Sequence, residues 1–426
     1  MYEIVTGRSP KDLKKFGIEG TGYFGKHIVG KGNDAHLTNK ILIDFLRPHV
    51  ILVAGKRGSG KSYSSAVLAE EMSLLPPELS QNLSTVMIDT MGIFWSMKYP
   101  NDDQTILLDE WGMKPKGLKD KVKLYVPYKQ KQEFEESEIP VDFGISIQAN
   151  EFTPEDWSLA FNLPTTNPIS LGLQKTVNQL HKSGEKFTID DIITKIKDDR
   201  LLDTHVKSSL ENMLTIADQW GVFGEEGIKI EDIVKPGTIN VFDVSRLRAT
   251  EAWSVRNLLV ALICRKIYRQ RVIARKQEEL AKMGEIKLEK RYPMVWLIMD
   301  EAHQFIPADT TAVSSRPILD IVKQGREPGI SFVPITQMPN KIHPEVISQC
   351  DMVISHRLTS KNDLDALQAV MQNYLMEDLT KSINSLPKWK GSAIILDDNS
   401  ERIYPVQVRP RFSWHAGESA IAKIKS

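Results

Sequence analysis

The chain has 426 residues, of which 55 are basic and 55 acidic, so its formal net charge is zero. This length predicts two or three domain-sized units, or one core with large insertions. A neutral chain excludes a strong overall attraction to nucleic acid, so any such contact requires a local basic patch or an assembled oligomer.

The two cysteines, Cys264 and Cys350, are too few and too far apart in sequence for a disulfide framework or a zinc site. They favour a reducing compartment. The first residues lack the pattern of a signal peptide, and the apolar runs fall short of the ~20 residues that cross a bilayer. We therefore expect a cytoplasmic protein that does not contact membranes.

Short apolar runs recur along most of the chain. Residues 1–48 are rich in glycine and polar side chains, which predicts irregular structure or short strands there. The later runs lack clean polar–apolar alternation, as expected for strands buried on both faces. Helical patterns separate many of them, which predicts an α/β fold with a mainly parallel sheet. The predicted strands cover residues 50–54, 85–89, 123–127, 238–244, 294–299, 331–336, 351–355, 392–396 and 403–408.

The segment 55–62 reads Gly-Lys-Arg-Gly-Ser-Gly-Lys-Ser and lies between the first of these strands and a helical pattern. It is a complete phosphate loop in the strand–loop–helix setting that the motif requires. Its glycines allow backbone N–H groups to point at phosphate oxygens, and the helix presents its positive end to the anion. Lys61 is predicted to reach the β- and γ-phosphates and Ser62 to ligate Mg²⁺. The predicted nucleotide-binding residues are Gly55, Arg57, Gly58, Ser59, Gly60, Lys61, Ser62 and Tyr63.

The stretch 148–235 interrupts the strand–helix rhythm with helical patterns alone, one of which starts with acidic residues after Thr188. The preceding charged segment, 129–142, predicts an exposed loop. We expect five units: an N-terminal segment over 1–48, the first half of the core over 49–147, a helical insertion over 148–235, the second half of the core over 236–410, and a tail over 411–426.

The second motif is acidic and lies two-thirds along the chain, where the apolar run 294–299 is followed by Asp-Glu-Ala-His. Adjacent acids after a buried strand form a Walker B pattern. Asp300 is predicted to hold the Mg²⁺ shell, and Glu301 to polarise the attacking water as general base. Two merely solvated acids at a strand end are the simpler interpretation, which Lys61 upstream makes less favoured.

Three further residues are candidates for the catalytic site. The predicted strand 331–336 ends in Gln337, whose amide can contact both the γ-phosphate and the water, although such an amide also caps loops. In oligomeric ATPases an arginine of one subunit often completes the site of its neighbour. We favour Arg326 for this role and place Arg357 second, while lone arginines are more commonly surface residues.

Two other polar residues have weaker signals. His303 has no histidine or cysteine partner at metal-ligand spacing, which favours a structural or coupling role. Asp89 ends a predicted strand, where it either lies near the nucleotide or caps a turn.

Three classes of phosphate-loop protein compete. A GTPase would carry an Asn/Thr-Lys-x-Asp motif, but segment 340–343 lacks the acid and segment 360–363 begins with serine. A two-lobed DEAH-type helicase is suggested by residues 300–303. It needs a second ATPase lobe after that box, and residues 304–426 have room only for the end of one lobe.

The third class fits best, because the chain resembles the HerA/FtsK-type ATPases and, among them, the HerA-like branch. The resemblance is carried by segments 55–62, 294–303 and 321–339, the last with a Gly-Arg pair before a strand that ends in Thr-Gln-Met-Pro. It continues through 346–358, with a Ser-Gln-Cys sequence and an Arg-Leu strand end, and covers about residues 48–410. It implies a RecA-like core that forms hexameric rings, binds ATP between subunits and moves double-stranded DNA through a channel. A nuclease partner is also implied.

A basic stretch precedes the Walker B strand. Residues 256–291 hold eleven lysines and arginines against four glutamates, largely on a helical pattern over 253–282. Such a run is either a solvated helix face or a surface that contacts DNA phosphates. Two hypotheses from other classes also remain: a nucleotide-gated subunit of a defence or other complex, and an ATPase that moves protein or pilus components.

Overall fold

The computed structural model describes residues 2–30, 32–224, 226–247, 255–358, 360–368, 381–383 and 385–417. Within this part of the chain, thirteen strands form one sheet in the order β1-β3-β2-β13-β12-β11-β4-β10-β9-β5-β8-β6-β7. The strands are β1 (Ile4–Thr6), β2 (Thr21–Val29), β3 (His36–Asp44), β4 (Ile51–Ala54), β5 (Leu83–Asp89), β6 (Val122–Pro127), β7 (Phe143–Ile145), β8 (Ile239–Asp243), β9 (Met294–Met299), β10 (Ile330–Thr336), β11 (Met352–His356), β12 (Ser392–Asp397) and β13 (Arg402–Val408).

The sheet is parallel from β11 to β7, and antiparallel from β11 through β12, β13 and β2 to β3. All nine predicted strands are present, and the prediction of a mainly parallel α/β sheet is confirmed. Parallel strands require crossover connections, which the helices supply on both faces. The central strands β5 and β10 are buried along their whole length, which explains why their sequences do not alternate.

Fourteen α-helices whose bounds lie within the described residues accompany this sheet. They are α1 (Pro10–Phe16), α2 (Lys61–Leu74), α3 (Pro77–Ser80), α4 (Thr105–Glu110), α5 (Lys131–Glu136), α6 (Pro154–Ala160), α7 (Pro168–Ser183), α8 (Ile189–Asp198), α9 (Thr204–Asp218), α10 (Ile230–Ile233), α11 (Val255–Lys282), α12 (Ser315–Gln324), α13 (Pro344–Ser348) and α14 (Lys361–Gln368).

The two faces of the sheet carry two hydrophobic clusters. In β4, Leu52 belongs to one cluster and Val53 to the other, because successive side chains of a strand point to opposite faces. Helix α2 packs in the cluster of Val53. The helices α6 to α9 of the predicted insertion pack in the cluster of Leu52, together with α11. The inserted helices therefore share a core with one face of the sheet.

Two local predictions are wrong. Residues 1–48 do not form only short strands, because β2 and β3 are nine-residue strands that extend the sheet beyond β13. The charged segment 129–142 is not a simple loop, since it contains α5. The side chain of Phe134 on α5 is buried under the guanidinium of Arg246, at 4.0 Å from the ring centroid, and this apolar anchor orders the segment.

One predicted helix start is confirmed in detail. Thr188 and Asp191 exchange hydrogen bonds between side chain and backbone at the first turn of α8, which forms a capping box. The predicted helix over 253–282 is present as α11, while Trp253 lies outside the described residues. Residues 418–426 of the predicted tail also lie outside them.

Candidate functional site

The phosphate loop lies at the carboxyl end of β4 and leads into α2. Gly58 and Gly60 have φ values of 73° and 113°, which residues with a Cβ rarely adopt. The start of the loop is hydrogen-bonded to the ends of both neighbouring strands. The N–H of Gly55 donates to the Thr336 carbonyl at 3.3 Å, and the N–H of Lys56 donates to the Arg357 carbonyl at 3.1 Å. The ends of β10 and β11 therefore fix the position of the loop.

His356 packs against the phosphate loop and was not among the site residues predicted from the sequence. Its fully buried ring lies with Nδ1 3.1 Å from the Ser392 carbonyl, which can only accept, so Nδ1 carries the proton. Nε2 then accepts from the Ser64 hydroxyl at 2.8 Å. A Cβ added to Gly55 would come within 2.7 Å of the Cβ of His356 and 2.5 Å of the Ser59 hydroxyl, so only glycine fits there.

Lys61 is brought together with the predicted acids. Only one strand, β10, separates β4 from the Walker B strand β9. The buried amine donates to the Lys56 carbonyl at 3.2 Å. Burial lowers the pKa of Lys61, and the nearby charges of Glu301 and Asp300 oppose that effect. Lys61, Asp300 and Glu301 thus follow the carboxyl ends of two strands that β10 alone separates, close enough for their charges to influence one another.

Asp300 is held by a threonine from the adjacent strand. The Thr90 hydroxyl, just after β5, donates to Asp300 Oδ2 at 2.9 Å. Burial raises the pKa of Asp300, while this hydrogen bond and the Lys61 charge oppose the rise. A carboxylate with one oxygen fixed in this way keeps lone pairs available for a metal ion and its waters.

Glu301 has an unusual backbone and an unusual environment. Its φ and ψ are both 47°, in the left-handed region that non-glycine residues seldom adopt and that is often found at functional sites. Its buried Oε2 has no hydrogen-bond partner in the described part of the chain, and His303 Nδ1 lies 3.4 Å away. Burial, and then the charge of Asp300, raise the pKa of Glu301 to about 7. A carboxylate of that basicity is suited to accept a proton near neutral pH.

His303 connects Glu301 to the tip of β10. Its Nδ1 lies 3.1 Å from Thr336 Oγ1, and that oxygen also accepts the N–H of Met338. Gln337 is partly exposed between these residues, at the end of the strand that separates β4 from β9. The prediction of a coupling role for His303 agrees with these contacts, and the sensor role of Gln337 stays a prediction.

Asp89 caps a turn. Its buried carboxylate accepts four backbone N–H groups from the residues that follow it, from Met91 to Phe94, at 2.7 to 3.1 Å. Burial and the adjacent carboxylate of Asp243 raise its pKa, and the N–H donors oppose that rise. All its donors are local, so the structure supports the turn-capping alternative.

The two candidate arginines lie at opposite edges of the sheet. Arg326 is exposed in the turn before β10, whereas the phosphate loop follows the end of the parallel strand β4. A strand of seven residues separates the two edges by roughly 20 Å. Arg357 directly follows β11 beside its own phosphate loop, and its guanidinium donates to the Leu386 carbonyl at 3.3 Å.

Much of the basic charge on α11 is used within the chain. Arg265 forms an ion pair with Asp156 of α6, and Lys266 pairs with Glu151 at 2.5 Å. Arg271 is buried at 2% exposure and donates to backbone carbonyls. These contacts attach the inserted helices and the chain after α11 to this helix, so they favour a structural role for these three side chains.

Comparison with known proteins identifies the family of the chain. The family model described as "Helicase HerA, central domain" matches residues 25–267. The chain belongs to this HerA family. The resemblance inferred from the sequence is therefore confirmed, and the matched region begins in β2 and extends into α11.

Individual relatives are distant. The DNA double-strand break repair helicase HerA of Pyrococcus furiosus is 26% identical over 176 residues, 38% of this chain and 31% of that protein. The protein of the same name from Sulfurisphaera tokodaii is 22% identical over 388 residues, 91% of this chain and 68% of that protein. The first three relatives are matched over only 31% to 42% of their own length.

Among solved structures, VirB4 of Thermoanaerobacter pseudethanolicus is similar, with a TM-score of 0.54 and 12% sequence identity over 91% of this chain and 97% of that chain. At this identity the likeness concerns the fold alone. In the described part of the chain, every helix is too short or too polar to span a bilayer.

Proposed function

We propose that this chain is a Mg²⁺-dependent ATPase that moves or remodels double-stranded DNA as a ring-shaped, hexameric motor. The observation that carries the proposal is the meeting of Lys61, Asp300 and Glu301 at the carboxyl edge of the sheet. Membership of the HerA family supports the DNA substrate, since relatives are named as DNA double-strand break repair helicases. A nuclease partner and a cytoplasmic location belong to the same proposal.

The residues present fit a nucleotide with its metal ion. The glycine backbone of the loop and the start of α2 form an anion cradle, and Ser62 follows Lys61 in the first turn of that helix. Ser62 and Asp300 would hold Mg²⁺, which supplies charge neutralisation for the phosphates. Glu301 orients the attacking water and takes its proton, because its raised pKa suits proton transfer near neutral pH and its Oε2 has no hydrogen-bond partner among the described residues.

The remaining residues receive roles from their positions. Gln337, between β4 and β9, contacts the γ-phosphate and the water. Arg357 borders its own phosphate loop, which suits a contact within the same subunit. Arg326 lies at the other edge of the sheet, so it reaches only the site of a neighbouring subunit. This geometry supports Arg326 over Arg357 as the arginine that acts between subunits.

A second function is favoured by one observation. Because Arg265, Lys266 and Arg271 are engaged within the chain, α11 offers less charge to DNA than its sequence suggests. A nucleotide-gated subunit, in which ATP controls assembly and DNA is not moved, is consistent with that. An ATPase that moves protein or pilus components is a further alternative for the same fold.

One experiment separates these functions. ATP turnover is measured with and without duplex DNA, and oligomeric mass is measured with and without ATP. A DNA motor shows turnover stimulated by duplex DNA and a ring-sized mass. An assembly subunit shows an oligomeric mass that depends on ATP, but its ATP turnover is the same with and without duplex DNA. Absence of ATP turnover under all these conditions contradicts the ATPase proposal.

A further inference from the structure

A cavity of about 820 Å³ opens beside the phosphate loop. One wall is the loop itself, from Gly58 to Tyr63. The far wall comes from the end of the chain: residues 389–391, residues 407–410 at the end of β13 and just after it, and His415. The volume lies in the range that small-molecule sites usually have. The cavity therefore has room for the sugar and base of a nucleotide whose phosphates lie on the loop.

One residue of the far wall, Gly391, lies against the loop. The Cα of Gly391 is 3.6 Å from the position of a Cβ added to Gly60. Trp389, two residues earlier, borders the cavity with 42% of its surface exposed. On the near wall, Tyr63 meets the His415 ring edge-to-face at 5.2 Å. Flat aromatic faces next to an anion cradle are the chemistry that binds a heteroaromatic base.

The far wall is also fixed to the helix that carries Lys61. The fully buried Arg409 pairs with Glu70 of α2 at 2.8 Å, and the Ser413 N–H donates to the same glutamate at 3.1 Å. The Arg411 N–H donates to the Tyr63 hydroxyl at 2.6 Å. These contacts between buried side chains attach the far wall to α2, so the two walls of the cavity are linked.

We infer that Trp389 and the C-terminal wall bind the base of a purine nucleoside triphosphate, so that this site distinguishes a nucleotide from a bare polyphosphate. The inference rests on the proposed nucleotide binding at the phosphate loop. A purine is favoured because its two fused rings cover more of an aromatic face than a pyrimidine does. The predicted site ended at Tyr63 and contained none of these C-terminal residues.

The test compares two ligands on three variants by calorimetry: MgATP and Mg-tripolyphosphate, which has the phosphates but no base. Trp389→Ala should raise the Kd of MgATP about tenfold and leave that of tripolyphosphate within about twofold. Trp389→Phe, which keeps an aromatic face, should restore most of the MgATP affinity. Met283→Ala removes another exposed apolar side chain, away from the cavity, and should change neither.

Two results overturn the inference while leaving the proposed function in place. One is an unchanged Kd of MgATP in Trp389→Ala. The other is an equal loss for both ligands, since that reports a change in the phosphate cradle and no contact with the base. If the unmodified protein binds neither ligand, the proposed function itself is wrong and the inference falls with it.

Discussion

Thr90 donates a hydrogen bond from its hydroxyl to Oδ2 of Asp300 across 2.9 Å, and thereby links the end of β5 to the end of β9. This contact orients the carboxylate that we propose to hold the Mg²⁺ shell. Partners of this kind set the position of a metal ligand without touching the metal.

We expect Thr90→Val to raise the Mg²⁺ concentration that gives half-maximal ATP turnover by about tenfold or more, because the carboxylate loses its fixed orientation. The measurement is turnover against Mg²⁺ at saturating ATP. Thr165→Val, on an exposed loop, is the matched control. An unchanged Mg²⁺ requirement in Thr90→Val contradicts the positioning role.

Glu301→Gln should keep ATP binding and lower turnover by about a hundredfold or more, since the amide cannot accept the proton of the water. Lys61→Ala should weaken ATP binding and abolish turnover, because the phosphates lose their charged contact. Binding is measured by calorimetry and turnover by phosphate release. Glu285→Gln, at an exposed glutamate after α11, should behave like the unmodified protein. Normal turnover in Glu301→Gln would remove it as the general base.

Arg326→Ala subunits mixed with intact subunits should reduce turnover more steeply than their fraction, because each one disables the site of its neighbour. Arg357→Ala subunits should reduce it in proportion, since that residue borders its own loop. Arg316→Ala, exposed on α12, controls for the loss of a surface charge. A proportional loss with Arg326→Ala would speak against its role between subunits.

His356→Phe keeps a flat aromatic ring, although a larger one, and removes both hydrogen bonds under the phosphate loop. We expect the free energy of unfolding to fall by about 1–3 kcal/mol, because the Ser392 carbonyl and Ser64 hydroxyl lose a buried partner. The Kd of ATP should rise as well. Denaturant titrations of His356→Phe, Ser64→Ala and the double variant measure the coupling. Strict additivity would show that the two side chains do not act together.

We expect His49 to make the free energy of unfolding fall as the pH rises above neutral. The buried ring lies 2.7 Å from Asp351 and 3.4 Å from Asp44, which also pairs with Arg8. Burial, the largest effect, lowers the pKa of His49, but both carboxylates together outweigh it and raise the pKa to about 9.

Because this pKa is raised in the folded state, the stabilisation is complete below pH ~6.5 and is lost as pH rises through about 9. Urea titrations across this window should show the unfolding free energy falling, by an amount of the order of 3 kcal/mol from this group. His49→Gln should remove that slope. Equal slopes in the variant and the unmodified protein would contradict the assignment.

Features that depend on neighbours in the chain were predicted well. The nine predicted strands are present because a short apolar run between turn residues forms a strand wherever both faces are covered. The prediction for the first 48 residues was wrong, because β2 and β3 contain many polar residues and are strands through their pairing with each other and with β13. Phe134 anchors α5 through one side chain, which a charged sequence conceals.

The sequence by itself determined the phosphate loop and the Walker B acids, since each is a contiguous pattern whose chemistry its own residues supply. Tertiary structure decided which distant residues surround them. Three residues from separate segments do so: His356 contacts Ser64, Thr90 contacts Asp300, and Trp389 lines the cavity beside the loop. Their spacing in the sequence does not predict these contacts. The reason is physical: local backbone preferences act over a few residues, whereas strand order brings together side chains that are hundreds of residues apart.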